Sequence, residues 1–596
     1  MRLQITKSKN AECFYVVQSV RVNGKNSNRV VERLGNLEEV KLKAGGSDPY
    51  AWAKNYAASL TLQESDQTRK IQIELSQSEQ IPSGEQRLFN GGYLFLQELY
   101  YRLGLNVIAK ALARKHKFEY NLNAILSRLA YCRIIAPLSK LGTFEFSQEL
   151  LEPPDFDLHH MYRALDIIAE ENDYIQERLY KNSMRVCQRN TNVLYYDCTN
   201  FFFEIEEEKG CRKYGHSKEN RPLPIVEMGL FMDGSGIPLA FSIWDGNKNE
   251  QSTMRPLEEK ILHDFGLSSF TVCTDAGLSS ATNRFFNSHG KRNYLTAVSL
   301  KTMSEERGSK FMTPTGWKLP GNKTTYDINE IEKNPELRKK YYNSIFYKEE
   351  WFIDTVDCED DLLGKKVKRD LHQRLVVTFS LKYKDYLSAV RGRQIERAQK
   401  MVKNGGSRLK KNSQNDCKRF VSSVSTTSDG EIAEKTQYYL DESSIQREAK
   451  FDGYYGMYTN LSNQAFPIEE ILRIAHGRWE IEECFRIMKS EFDARPVYLQ
   501  KDNRIKAHFT TCFIALLILR LLEQKLDYKY TYGQIIDCLR TMNFCKVQEK
   551  GIIPTYKRTK LTDSLHAAFN FHTDYEIISP LQMKKIFAQT KNPSIL

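Results

Sequence analysis

The hydrophobic period of the chain switches near Asn192, and that switch restricts the fold more than any other feature. From about Glu85 to Arg189, apolar residues recur at three and four spacing, in YLFLQELYYRLGL, LNAILSRLAYCRIIAP and MYRALDIIAEENDYIQERLYKNS, which predicts a compact helical domain. At NVLYYDCTNFFFEIE the pattern becomes that of a strand rich in β-branched and aromatic residues. PIVEMGLFMDGSGIPLAFSIWDGN follows as two strands around the turn DGSG. TMRPLEEKILHDFG is then an amphipathic helix, FTVCTD a short buried strand, SSATNRFFNSHG a helix and NYLTAVS another strand.

Three strands, a helix, a strand, a helix and a strand make the element order of an RNase H-like α/β domain. After Lys301 the pattern is mixed and charged, with one clear strand-to-helix stretch at RLVVTFSLKYKDYLSAVRGRQIERAQKMVKN and a last strand at DGYYGMYTN. A single domain with so long an excursion before its final helix reads as a core with a module inserted. The expected fold class is therefore α/β: an RNase H-like core interrupted by a β-rich insertion, preceded by a small β module and a helical domain. The β module covers 1–50, with NGKN as a hairpin turn. A linker covers 51–84 and the helical domain 85–190. The core occupies 191–301 and 461–525, the insertion 302–460 and a C-terminal region 526–596.

Composition narrows the partners. Eighty-seven Lys and Arg against 75 Asp and Glu leave a formal charge of +12, a balance that suits a polyanion. The excess is concentrated in one run, where Arg391, Arg393, Arg397, Lys400, Lys403, Arg408, Lys410, Lys411, Lys418 and Arg419 face two acids, Glu396 and Asp416. Such a run makes either a phosphate-binding surface or a solvated loop. The twelve cysteines include no C-x-x-C pair, which argues against a zinc ribbon and for a reducing cytosol. MRLQITKSKNAECFYVVQSV lacks the apolar stretch of a signal peptide, and the longest apolar run, Cys512 to Leu519, is far short of a bilayer. The expectation is a cytoplasmic protein without a membrane partner.

Two aspartates stand out, one within the long first strand and one at the end of the buried fourth. Asp197 follows VLYY, and Asp275 ends FTVCTD. Either alone is an ordinary turn residue. If the first and fourth strands are neighbours, however, the two carboxylates meet on one edge, and a divalent cation is the natural relief for their repulsion. A third carboxylate comes from GRWEIEECFRIMKSEF. Taking Glu482 as reference, Arg478 lies four residues before, Arg486 four after and Lys489 seven after, all on one helical face. Ile481, Phe485 and Met488 form an adjacent apolar stripe. Glu480 and Glu483 belong to other faces and would replace Glu482 if the helix were rotated. As an isolated helix, this pattern is better explained by intrahelical ion pairs.

The run R-W-x-I-E-x-x-x-x-x-x-K at Arg478 to Lys489, with YYDCTN and CTDAG, resembles a DDE transposase of the insertion-sequence group that carries the Y-R-E-K signature. The resemblance spans roughly Asn192 to His508, and VRVNGKNSNRVVERLG resembles the front of long bacterial members. GHSKENRP and DGNKNEQSTM resemble stretches that follow the first Asp. The group's Tyr, three residues before the Arg, is Ala475 here. The resemblance implies that Asp197, Asp275 and Glu482 are catalytic and hold two Mg²⁺ ions, with Mn²⁺ able to substitute. It implies that Arg478 and Lys489 contact DNA phosphates; Arg486 is a further candidate that the signature does not include. Tyr455 stands where some relatives stack an aromatic residue on a flipped base, although strand tyrosines more often simply pack.

The resulting expectation is a bacterial cut-and-paste DNA transposase, nucleoid-associated in the cytoplasm. It would act as a homodimer on double-stranded transposon ends and target. Two rivals keep the same fold: a DNA-binding regulator that has lost cleavage, and a metal-dependent nuclease without strand transfer. A cytosolic scaffold is the reading without nucleic acid. His476 and His508 lie near the helix, where a lone histidine is more often structural.

Overall fold

The computed structural model describes residues 1–8, 11–22, 25–46, 48–68, 71, 73, 76–360, 365–404, 416–426, 432–547 and 550–593. Two compact units are present, one of residues 1–88, 544–555 and 573–586, the other of 89–543, 556–572 and 587–596.

In the first unit, strands Arg2–Ser8, Ala11–Val22 and Lys25–Asn36 form an antiparallel sheet. Alternation places Phe14 and Val16 on one face, where they meet Leu34, Val40, Ala53 and Ala57. Asn36 caps the helix Leu37–Ala44 in a reciprocal box with Glu39, both bonds 2.9 Å. The expected NGKN turn lies partly outside the described residues. The stretch read as a linker begins inside a helix, Pro49–Thr68, whose Ala53 and Ala57 belong to this core.

The second unit is built on a ten-stranded mixed sheet. Its strands are β1 (Val193–Phe202), β2 (Ile225–Asp233), β3 (Pro238–Asp245), β4 (Ser269–Thr274), β5 (Lys291–Val298), β6 (Trp317–Lys318), β7 (Thr325–Tyr326), β8 (Phe346–Asp360), β9 (Lys365–Phe379) and β10 (Tyr454–Thr459), in the order β7-β6-β8-β9-β10-β5-β4-β1-β2-β3. β1, β4 and β5 run parallel, and the other pairings are antiparallel. The parallel pairs need crossovers, supplied by helices α1 (Met254–Asp264) and α2 (Ala281–Phe286). Leu194, Tyr196, Phe270 and Val272 point to one face and pack with Leu257 and Ile261 of α1. Their odd-numbered neighbours therefore point to the other face.

The stretch 302–460 is mixed rather than β-rich. β8 and β9 extend the sheet through β10, but α3 (Leu381–Lys403) is a 23-residue helix, and Val421–Thr426 pairs with Ile432–Leu440 in a separate two-stranded sheet. α3 forms where helix formers outnumber β-branched residues. Its basic run is partly neutralised, since Arg391 pairs with Asp452 (2.6 Å) and Arg419, beyond the helix, with Glu448 (2.7 Å). Arg408, Lys410 and Lys411 lie outside the described residues.

The helix expected at 477–492 is three elements: α4 (Ile468–Gly477), α5 (Trp479–Arg486) and a π turn, Ile487–Glu491. Ile481, Phe485 and Met488 are buried as the apolar stripe predicts. Gly477 allows the joint between α4 and α5 to press on β1, because a Cβ there would lie 2.2 Å from the Tyr195 hydroxyl, which donates to the Ile474 carbonyl. α6 (Asp502–Lys525) is long and apolar enough to cross a membrane by length and composition, yet nearly all of its apolar window is buried inside the protein. Its Phe509 and Phe513 rings stack toward Phe201 of β1 and Phe241 of β3, at 4.8 and 5.1 Å.

Candidate active site

Three carboxylates come from three elements. Asp197 sits in β1 on the same face as Tyr195 and Phe201, the face covered by α4 and α6. The last parallel pair between β1 and β4 is Tyr196 with Thr274, so Asp197, the next residue of β1, and Asp275, the first residue beyond β4, stand at the same level. Asp275 turns the chain into a short 3-10 helix and accepts from the Ala276 N–H at 2.7 Å. Glu482 is exposed on α5.

Arg478, at the joint of α4 and α5, ties two of these groups together. Its Nη1 lies 3.7 Å from Asp275 and 3.3 Å from Glu482. The alternatives to Glu482 are engaged elsewhere. Arg520 of α6, buried, reaches Glu480 (3.0 Å), Glu483 (3.4 Å), Glu523 (2.9 Å) and the Gly236 carbonyl (3.0 Å). Gly236, at φ 76° in the DGSG turn, is required there, since a Cβ would fall 2.0 Å from Glu480. Tertiary pairing thus fixes the rotation of α5 with Glu482 toward Asp275.

Lys489 lies on the π turn, 3.6 Å from Glu219 and 5.6 Å from the Phe201 ring. Wider π turns recur at functional sites because they re-aim the residues they carry. Arg486 is not brought to the cluster. It is exposed, pairs with Glu483 (3.1 Å) and lies 5.6 Å over the Tyr532 ring, so the single face predicted for Arg478, Glu482, Arg486 and Lys489 is split by pairing and by the π turn. Tyr455 of β10 is half-buried, its hydroxyl held up at about 12 mainly by burial, and it feels the charges of Arg478 and Asp275. His508 is buried away from the carboxylates, and His476 is exposed.

Burial raises Asp197 to about 6; Asp275 adds to the rise, while Lys218, the Cys198 N–H and Arg478 oppose it. Lys218 donates to the Cys198 carbonyl and pairs with Glu250 at 2.8 Å. Burial pushes Lys489 down to about 8, helped by Lys218 and opposed by Glu227 and Asp197. Glu227 of β2, buried, is lifted to about 8 by burial and then by Glu250, and one of its oxygens has no partner. Sequence reasoning passed over Lys218, Glu219, Glu227 and Glu250 as site residues. A signal existed for each: the first two lie in GHSKENRP, Glu250 lies in DGNKNEQSTM, and Glu227 is an acid flanked by apolar residues within a strand.

A family model described as a transposase DDE domain matches residues 201–518, more than half of the chain. The chain belongs to the transposase DDE domain family. Membership makes this transposase a polynucleotidyl transferase or nuclease by class, in a family that generally uses divalent metal. A solved structure described as a cryo-EM structure of piggyBac transposase synaptic complex with hairpin DNA aligns with 86% of this chain and 89% of its own, at 8% identity and a TM-score of 0.33, a likeness too low to carry an argument. No curated protein matches the chain in sequence.

The residues present fit a hard divalent cation. Asp197, Asp275 and Glu482 offer only carboxylate oxygens, the donors that such ions select. Burial, the main cause of the raised Asp197, disfavours its charged form, and Arg478 lies within ion-pair distance of the other two carboxylates.

Proposed function

We propose that this transposase binds the terminal inverted repeats of a mobile element and cuts and rejoins DNA strands in cut-and-paste transposition. The observation that carries this reading is the Arg478 guanidinium between Asp275 and Glu482, on the sheet face that also holds Asp197. The strand order β5-β4-β1-β2-β3, with α1 and α2 as crossovers, supports an RNase H-like core. The spacing of Arg478, Glu482 and Lys489 supports the Y-R-E-K group, with 302–460 as the inserted stretch.

Asp197, Asp275 and Glu482 would hold two Mg²⁺ ions, or Mn²⁺ in their place, which when bound supply the charge that activates an attacking oxygen and stabilises a leaving oxygen at phosphorus. Arg478 offers a planar fork to the phosphate oxygens, and Lys489 a point charge. Burial has stripped Lys489 of water, which strengthens its attraction to an incoming phosphate. Tyr455, which feels the charge of Arg478, would stack on a flipped base. Arg486, exposed on the Glu483 side, is available to DNA outside the cluster. Residues 1–50 and 85–190 would grip the repeats, two copies would pair the ends, and the setting is the bacterial cytoplasm.

The test is cleavage and joining of linear DNA carrying the element's flanking repeats, in Mg²⁺ or EDTA. Asp275→Asn and Glu482→Gln should lose both steps, whereas Glu480→Gln and Glu483→Gln should retain metal-dependent cutting. An active Glu482→Gln overturns the assignment.

A further inference from the structure

Away from the carboxylates, the second unit contains a cavity of about 390 Å³ between residues 137–140 and residues 493–499, which follow the π turn. Its lining includes Arg133, Lys140, Arg495 and His508, against a single acid, Asp493. Arg133 and Lys140 are 4% and 5% exposed. Buried cations ordinarily face carboxylates. These two do not.

Arg133 donates to the carbonyls of Phe492 (3.0 Å) and Leu138 (3.2 Å), both neutral, and its Nε has no partner. Lys140 lies 3.5 Å from His508 Nδ1. His508 turns its Nε2 to the Ala494 carbonyl at 3.3 Å, and burial, then Lys140 and Arg133, keep its imidazole neutral. The ring therefore donates from Nε2 and accepts from Lys140 at Nδ1, adding no negative charge. The groups that act on Lys140 are Arg133 and the thiols of Cys512 and Cys132, and no carboxylate is among them. Burial, then Arg133, push its ammonium down to about 7. Burial raises the Asp493 carboxyl, and Arg133 and Arg540 oppose that rise. Lys140 is also the first residue of the nine-residue helix Lys140–Gln148, whose positive end adds like charge. Two buried basic residues and a helix N-terminus converge on one cavity whose single lining acid, Asp493, forms an ion pair with neither of them, an arrangement that suits an oxyanion.

The cavity is linked to Lys489 through the side chain of Glu219. Arg495, in its wall, pairs with Glu219, which Lys489 also approaches at 3.6 Å. Tyr498, at the cavity and 72% exposed, offers an aromatic face beside it. We propose that Arg133 and Lys140, at the N-terminus of helix Lys140–Gln148, form a phosphate-binding site that takes one backbone phosphate of the DNA strand lying across the carboxylates. The choice of DNA rests on the function proposed above; the affinity for a phosphate group does not.

The experiment uses the full chain in EDTA, so cleavage does not enter. One arm replaces chloride by inorganic phosphate at constant ionic strength and follows Tm. The other measures affinity for a short duplex against salt. The variants are Lys140→Met, which keeps the stem, and Lys140→Arg, which keeps the charge. Phosphate should raise Tm for the wild type and Lys140→Arg but not for Lys140→Met, and the slope of log affinity against log salt should fall by about one for Lys140→Met alone. A Tm response with an unchanged slope overturns the DNA assignment in favour of a free phosphate. No Tm response in the wild type overturns the site itself, and that result stands even where Lys140→Met does not fold. Absence of Mg²⁺-dependent cutting would refute the cleavage reading while leaving both readouts intact.

Discussion

Replacing Asp197 by Asn should stabilise the metal-free protein, by an amount that grows with pH. The carboxyl sits near 6 in the fold, raised mainly by burial, against an ordinary value of 3.8. The rise of roughly two units, at about 1.4 kcal/mol each, corresponds to about 3 kcal/mol lost when the group ionises in the fold. The proton is bound more tightly in the folded state, so this contribution is fully present below pH 3.8 and is lost as pH rises through about 6. Asn keeps the oxygen that accepts from the Cys198 N–H at 2.8 Å and carries no charge. Between pH 4.5 and pH 8 the stability of Asp197→Asn relative to wild type should therefore rise by about 2 kcal/mol. Urea unfolding of both proteins in EDTA at the two pH values measures this, the comparison at each pH cancelling steps common to both chains. Mg²⁺ should then stabilise wild type and not the variant. A difference that is the same at both pH values, or a variant less stable at pH 8, would refute the argument that burial disfavours the charged form of Asp197 in the fold.

Two further outcomes follow from the pairing around α5. Arg520→Ala leaves Glu480, Glu483 and Glu523 without their shared buried cation and should cost about 3 to 5 kcal/mol in denaturant unfolding, far more than removal of a surface pair. Arg478→Ala should lower metal-dependent cleavage about 100-fold, as loss of one donor to a reacting oxygen does, whereas Arg486→Ala should change it by no more than a few-fold. Equal losses in the two arginine variants, measured in one cleavage assay, would place Arg486 in the site after all.

The sequence by itself determined the elements and their order. The switch from helical to alternating period at Asn192 is a local property, and the strands and helices from Val193 to Val298 follow it one by one. It also determined the residue types that gather at the site, because Asp197 and Asp275 lie at the same level wherever their strands are parallel neighbours. The rotation of α5 was not legible there. Helical phase leaves Glu480, Glu482 and Glu483 as near-equivalents, and the choice is made by Arg520, which takes two of them from a helix some forty residues away in the chain. Arg486 turns to Glu483, three residues before it on the same helix, and the π turn that follows alters the ideal helical spacing from which its face was drawn. The joining of β8 and β9 to the core sheet, the burial that lifts Asp197 and Glu227, and the unmatched charge of Arg133 and Lys140 are likewise decisions of tertiary structure. Burial and Coulomb energy depend on what packs against a group in space, whereas periodicity and capping depend on near neighbours in the chain.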